Sequence, residues 1–137
     1  MNNALKVILD KMNGEDFALI GTFNLQVQGI NIDAHDLDIL TDDDGLNKFA
    51  AVFKSPIVEQ NYYNETQFNI GKTEIHIVCS TKNPFRPNNF QKEIVFIKKH
   101  GLEIPCMSLK SELLFYSRIN RQKDGNKVDL IKVKLKE

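Results

Sequence analysis

Six aspartates fall within the twelve positions from Asp33 to Asp44, and two of them, Asp36 and Asp38, interrupt the apolar run Asp-Leu-Asp-Ile-Leu-Thr at residues 36–41. This run constrains the fold more than any other stretch of the chain. On a strand, side chains alternate, so Asp36 and Asp38 share one face while Leu37 and Ile39 share the other. A helix would point the two carboxylates apart. At a separation of roughly 5–6 Å and an effective dielectric near 20, their repulsion is about 3 kcal/mol. A divalent cation reverses that penalty. Magnesium suits the site because it takes oxygen ligands, accepts one or two protein carboxylates, and completes its shell with water and substrate phosphates. A solvated strand edge carries the same pair without any ion.

The residues upstream add a second feature. Ala18-Leu-Ile-Gly21-Thr22 reads as a short buried strand running into a helix that begins at Gly21-Thr22 and stops at Gly29. A glycine at such a turn admits close approach to the backbone, and the N–H groups there suit a phosphate. The acid strand follows. Thr41 with Asp42, Asp43 and Asp44 supplies an N-cap and first-turn carboxylates for a helix through about Phe53.

Around this centre the chain reads as mixed α/β (α+β), one domain over residues 1–137. Leu5, Ile8, Leu9 and Met12 make a first amphipathic helix. Residues 66–71, 73–80 and 93–99 are β-rich, divided by Gly71 and by the turn-prone Thr81-Lys-Asn-Pro-Phe-Arg-Pro-Asn-Asn89. Ser108 caps a helix with Leu109, Leu113 and Tyr116 on one face, and after Gly125 a last helix carries Val128, Ile131 and Leu135. The expected result is a mixed sheet with helices mainly on one face and a C-terminal helix pair.

Net charge is zero, yet residues 1–70 hold 11 acidic against 4 basic side chains and residues 71–137 hold 7 against 14. The halves are therefore −7 and +7, which suits an acidic region for a cation and a basic region for phosphates, or simply two halves that attract each other. Cys79 and Cys106 lack CxxC spacing and lie in apolar surroundings, which points to a reduced, cytoplasmic setting. No signal-like or membrane-spanning apolar run is present, so no membrane partner is expected. His35 and His100 have no partner spacing and read as surface residues.

The stretch from Leu19 to Thr41 resembles the nucleotidyltransferase superfamily with the DNA polymerase β-like fold, especially its small stand-alone bacterial members. Their pattern is an apolar residue, Gly, Gly or Ser, a helix, and then Asp-apolar-Asp-apolar. Gly21 and Thr22 match the glycine turn, and Asp36 and Asp38 match the metal carboxylates. The tail is similar too: Arg121, Lys123, Asp124 and Asp129 match an Arg-x-Lys-Asp run followed by an Asp. The resemblance implies a Mg2+-dependent transfer of a nucleoside monophosphate from a nucleoside triphosphate to a hydroxyl acceptor on a small molecule, a protein or an RNA end. It implies phosphate binding by Gly21, Thr22, Arg118, Arg121 and Lys123.

Three positions depart from the pattern. Thr22 replaces Gly or Ser, and Tyr116 stands where many relatives have Lys. The family's third carboxylate arrives on a later strand, where this chain has His76. By alternation Glu74 and His76 share a face, so either is a candidate to accept the acceptor's proton. The same substitution also fits a catalytically degenerate binding module, such as one partner of a toxin–antitoxin-like pair. A DxD glycosyltransferase is disfavoured, because 137 residues leave little room for its fold.

Overall fold

The computed structural model describes residues 1–137. The chain runs α1 (Asn2–Lys11), β1 (Phe17–Ile20), α2 (Gly21–Val27), β2 (Asp36–Thr41), α3 (Asp43–Phe53), β3 (Ile57–Glu59), β4 (Asn64–Ile70), β5 (Thr73–Cys79), β6 (Ile94–Lys99), β7 (Leu102–Met107), α4 (Leu109–Ile119) and α5 (Gly125–Leu135). The strands form one mixed sheet in the order β3-β4-β5-β2-β1-β7-β6. β2 lies at its centre, antiparallel to β1 and parallel to β5.

The alternation expected of residues 36–41 holds. Leu37 and Ile39 are fully buried, while Asp36 and Asp38 are half-buried on the opposite face. Leu37 and Ile39 join Leu5, Ile8, Phe49 and Ile77 in the main core, between the sheet and α1 and α3. Each such aliphatic side chain contributes roughly 1.5–3 kcal/mol by leaving water. On the other face a smaller cluster of Ala18, Ile20, Leu40, Phe90 and Met107 forms under the 80–93 segment. That second face is thus apolar beyond Asp38 and acidic at its start.

α2 serves both layers. Phe23 and Val27 enter the main core, while Leu25 packs with Ile30, Tyr116 and Ile131 beneath the α4–α5 pair. Asn24, wholly buried, donates from Nδ2 to the Met107 carbonyl at 3.0 Å, and Gln28 Nε2 donates to the same oxygen at 2.8 Å. These bonds tie α2 to the end of β7. No helix is long and apolar enough to cross a membrane.

Two local details differ from the sequence expectation. The cap of α3 is Asp42, whose side chain accepts from the Gly45 N–H at 2.8 Å, whereas Thr41 ends β2 and donates to the Asp16 carbonyl. A Cβ on Gly45 would fall 1.8 Å from Thr41 Oγ1, so this turn admits only glycine without rearrangement. The second detail is a pair of strands absent from the sequence reading, β3 (Ile57–Glu59) and β7 (Leu102–Met107).

Candidate active site

Parallel pairing of β2 with β5 sets Asp36 opposite Glu74 and Asp38 opposite His76. Because the register is shared, all four side chains emerge on one face of the sheet. His76 Nε2 lies 2.8 Å from Glu74 Oε1 and 3.8 Å from Asp36 Oδ2. The nearest ligating atoms of Asp36, Asp38 and His76 all fall within 4.8 Å of one another. The His76 side chain is 25% exposed, against 40% for Asp36 and 56% for Glu74.

Asp38 carries the electrostatic cost of this arrangement. Its carboxyl is pushed up to about 6 from 3.8, first by burial and then by the Asp36 charge; Glu112 adds to the shift, while His76 and Arg86 oppose it. A group poised in this way ionises more readily beside a cation. Two carboxylates and one imidazole within reach of a single point fit a divalent ion. The oxygens suit Mg2+, and the imidazole widens the choice toward transition metals.

Gly21 stands against this cluster. Its φ is +74°, and a Cβ there would lie 2.7 Å from Asp38 Oδ2. Glycine is thus required twice over, for the left-handed backbone and for the close approach of the carboxylate. Ile20, the residue before it, is the cross-strand partner of Asp38.

The Gly21 N–H is already engaged. It donates to Glu112 Oε2 at 2.8 Å, and Glu112 also accepts from Arg86 Nη1. Both side chains of this ion pair are buried, at 0% and 3% exposure. The expectation of a free Gly21 amide for phosphate therefore differs from what is found, because a helix 91 residues along the chain supplies the acceptor. Neither Arg86 nor Glu112 was picked out in the sequence. Glu112 left a signal there, since it shares the helical face of Leu109, Leu113 and Tyr116, where a charge needs a buried partner. Arg86 lies in an irregular loop and left none.

The basic residues of the tail separate. Arg121 lines a cavity beside the acid cluster and pairs through Nε with buried Asp124 at 2.6 Å. Arg118 is exposed and lines a different depression with Lys110 and Ser111, and Lys123 is exposed. Asn120, with φ +49°, ends α4 in the left-handed region and turns the chain between Arg118 and Arg121. Tyr116 is buried, and its hydroxyl is held well above the usual tyrosine range by burial and then by the Glu112 charge. Thr22 is half-buried in the first turn of α2. His35 and His100 are exposed, and neither belongs to the cluster.

The fold is similar to those of solved nucleotidyltransferase structures. A candidate nucleotidyltransferase from Thermotoga maritima superposes with a TM-score of 0.75 at 20% identity, over 93% of this chain and 89% of that one. ANT(2″)-Ia in complex with adenylyl-2″-tobramycin gives 0.65 at 12% identity, over 98% and 87% of the two chains. The solution structure of the same antibiotic-resistance factor gives 0.64 at 12% identity, over 98% and 82%. No protein-family model matches the chain, and no curated protein matches it significantly in sequence. At these identities the likeness establishes a nucleotidyltransferase-like fold.

Proposed function

We propose that this chain is a nucleotidyltransferase that moves a nucleoside monophosphate from a nucleoside triphosphate to a hydroxyl acceptor. The observation that carries this reading is the Asp36–Asp38–His76 cluster beside the Gly21 turn, in a fold of this kind. ANT(2″)-Ia, seen with adenylyl-2″-tobramycin, gives the reading a precedent for an adenylylated acceptor on a similar fold.

Asp36 and Asp38, with His76 at their side, would hold a divalent ion, for which Mg2+ is the proposal. When bound, the ion supplies positive charge against the donor's phosphate oxygens. The acceptor oxygen attacks the α-phosphorus, a new P–O bond forms, and the bond from the α-phosphorus to the bridging oxygen breaks. That electron pair leaves with pyrophosphate. The acceptor's proton passes to Glu74, or to His76 if Asp36 and Asp38 hold the ion without the imidazole; the two side chains share a hydrogen bond. Gly21 contributes by letting the Asp38 carboxylate lie against the turn, and Thr22 offers its hydroxyl to phosphate beside it. Of the tail residues, Arg121 would meet the donor, a role supported by its position in the wall of the neighbouring cavity, while Arg118 and Lys123 lie exposed outside that wall.

A second reading, a non-catalytic binding module on the same fold, draws on the occupied Gly21 amide and on the imidazole at the third position. One experiment separates the two. Mg2+ with a nucleoside triphosphate should raise the melting temperature of the wild type by mass action. The Asp36→Asn/Asp38→Asn double variant should lose that shift. Release of pyrophosphate on addition of a hydroxyl acceptor library supports the enzyme, and a thermal shift without any turnover supports the module. A double variant that responds like wild type removes the metal site from either account.

A further inference from the structure

Beside the acid cluster lies a cavity of about 290 Å3, lined by Ile20, Tyr63, Phe85, Arg86, Phe115 and Arg121 among others. Its wall includes the cross-strand partner of Asp38, Ile20, and also Val78, two residues along β5 from His76 on the same face. The volume is near the lower end of small-molecule sites, which begin at about 300 Å3, and so suits a mononucleoside better than a larger ligand.

The lining combines two chemistries. Tyr62, Phe85 and Phe115 form an edge-to-face chain, with ring centroids 6.3 Å and 6.5 Å apart. Such rings present faces and edges on which a planar base stacks, irrespective of its sequence identity. Arg86 is the second element. It is 5% exposed and lies 3.7 Å over the Phe115 ring. Its Nη1 donates to Glu112 Oε1, and its side chain forms part of the cavity wall. A planar guanidinium carries more N–H donors than the one given to Glu112 and suits phosphate or carboxylate.

We propose that this cavity binds the nucleoside of the donor nucleotide, with the base among Tyr62, Phe85 and Phe115 and the phosphate end facing Arg86 and the acid cluster. The inference rests on the nucleotidyltransferase reading. Aromatic rings next to cations match an aryl group that carries an anion, which the donor provides by definition and a hydroxyl acceptor need not. Tyr62, 58% exposed at the mouth, has a large ring left open to solvent.

The test is calorimetric titration of the full chain with each of ATP, GTP, CTP and UTP, with adenosine, and with inorganic tripolyphosphate, each with and without Mg2+. Tyr62→Ala and Phe85→Leu should weaken binding of the preferred triphosphate roughly tenfold and leave tripolyphosphate unchanged. Tyr62 is exposed, so its removal leaves folding intact. Asp36→Asn/Asp38→Asn should do the reverse, losing Mg2+-dependent tripolyphosphate binding while keeping metal-free nucleoside binding. The chain has no Trp and three Tyr, two of them at the cavity, so entry of the base should also quench tyrosine emission after correction for absorbance. Wild-type triphosphate affinity in both aromatic variants overturns the cavity assignment and leaves the enzyme reading standing. Nucleoside binding sensitive to both variants, without any Mg2+-dependent component, keeps the cavity and overturns the metal site. No nucleotide binding by the wild type overturns both.

Discussion

Two sets of carboxylates flank Gly21 and are treated in opposite ways. On one side, Glu112 is wholly buried, satisfied by Arg86 and by the Gly21 N–H. On the other, Asp36 and Asp38 stay half-buried beside His76 and Glu74, and the Asp38 carboxyl rises to about 6, first through burial and then through the Asp36 charge. The first set is closed about the Glu112 carboxylate, whose two oxygens are both engaged. The second is left unneutralised at a cost to stability, as groups kept for a ligand are. The contrast teaches that a carboxylate left without a bonded cation, and not charge as such, marks a place for a metal ion.

The sharpest way to break the comparison is to damage the closed side. Glu112→Ala strands Arg86 in the interior and frees the Gly21 amide, and loss of one member of a buried pair costs about 3–5 kcal/mol. Urea unfolding should show that drop, and a loss below about 1 kcal/mol would make the pair no more than a surface-like contact.

The open side should respond with the other sign. Asp38→Asn removes the repulsion with Asp36, which is 40% exposed and therefore screened, so metal-free protein should gain about 1 kcal/mol. The same variant should lose its thermal response to Mg2+. A destabilised Asp38→Asn protein would mean that the carboxylate is a structural acceptor after all.

The smallest effect is the pH dependence. Because folding raises Asp38 above 3.8, its ionisation destabilises the fold: the favourable contribution is complete below about 4 and is lost as pH rises through about 6. Cation binding needs the ionised form and so weakens as pH falls below about 6. Mg2+-induced melting shifts should therefore be smaller at pH 5 than at pH 7.5. An equal shift at both values would remove Asp38 from the ligand set.

Much of the open side was legible in the sequence, because alternation on β2 and β5 is a local rule that needs only the strands to form. The parallel register then brought His76 level with Asp38. The closed side depends on contacts that no local pattern encodes, between a loop arginine, a helix glutamate and a turn. β7 was missed because Pro105 argues against a strand; it is tolerated where β7 meets β1 through the single register pair Leu19–Cys106. β3 spans three exposed residues, too few to show a period. The basic tail was read as one phosphate surface, but the left-handed Asn120 divides it.

The bond from Gly21 to Glu112 spans 91 residues, and this sets an order of events as the chain leaves the ribosome. The strands that carry Asp36, Asp38 and His76 emerge first and can pair while the C-terminal third is still being made. The turn against Asp38 has its anchor only after α4 has emerged and docked, a late and nonlocal contact of the kind that slows folding. During that interval the acidic face exists without its fixed glycine turn, so the site is among the last parts of the molecule to be finished.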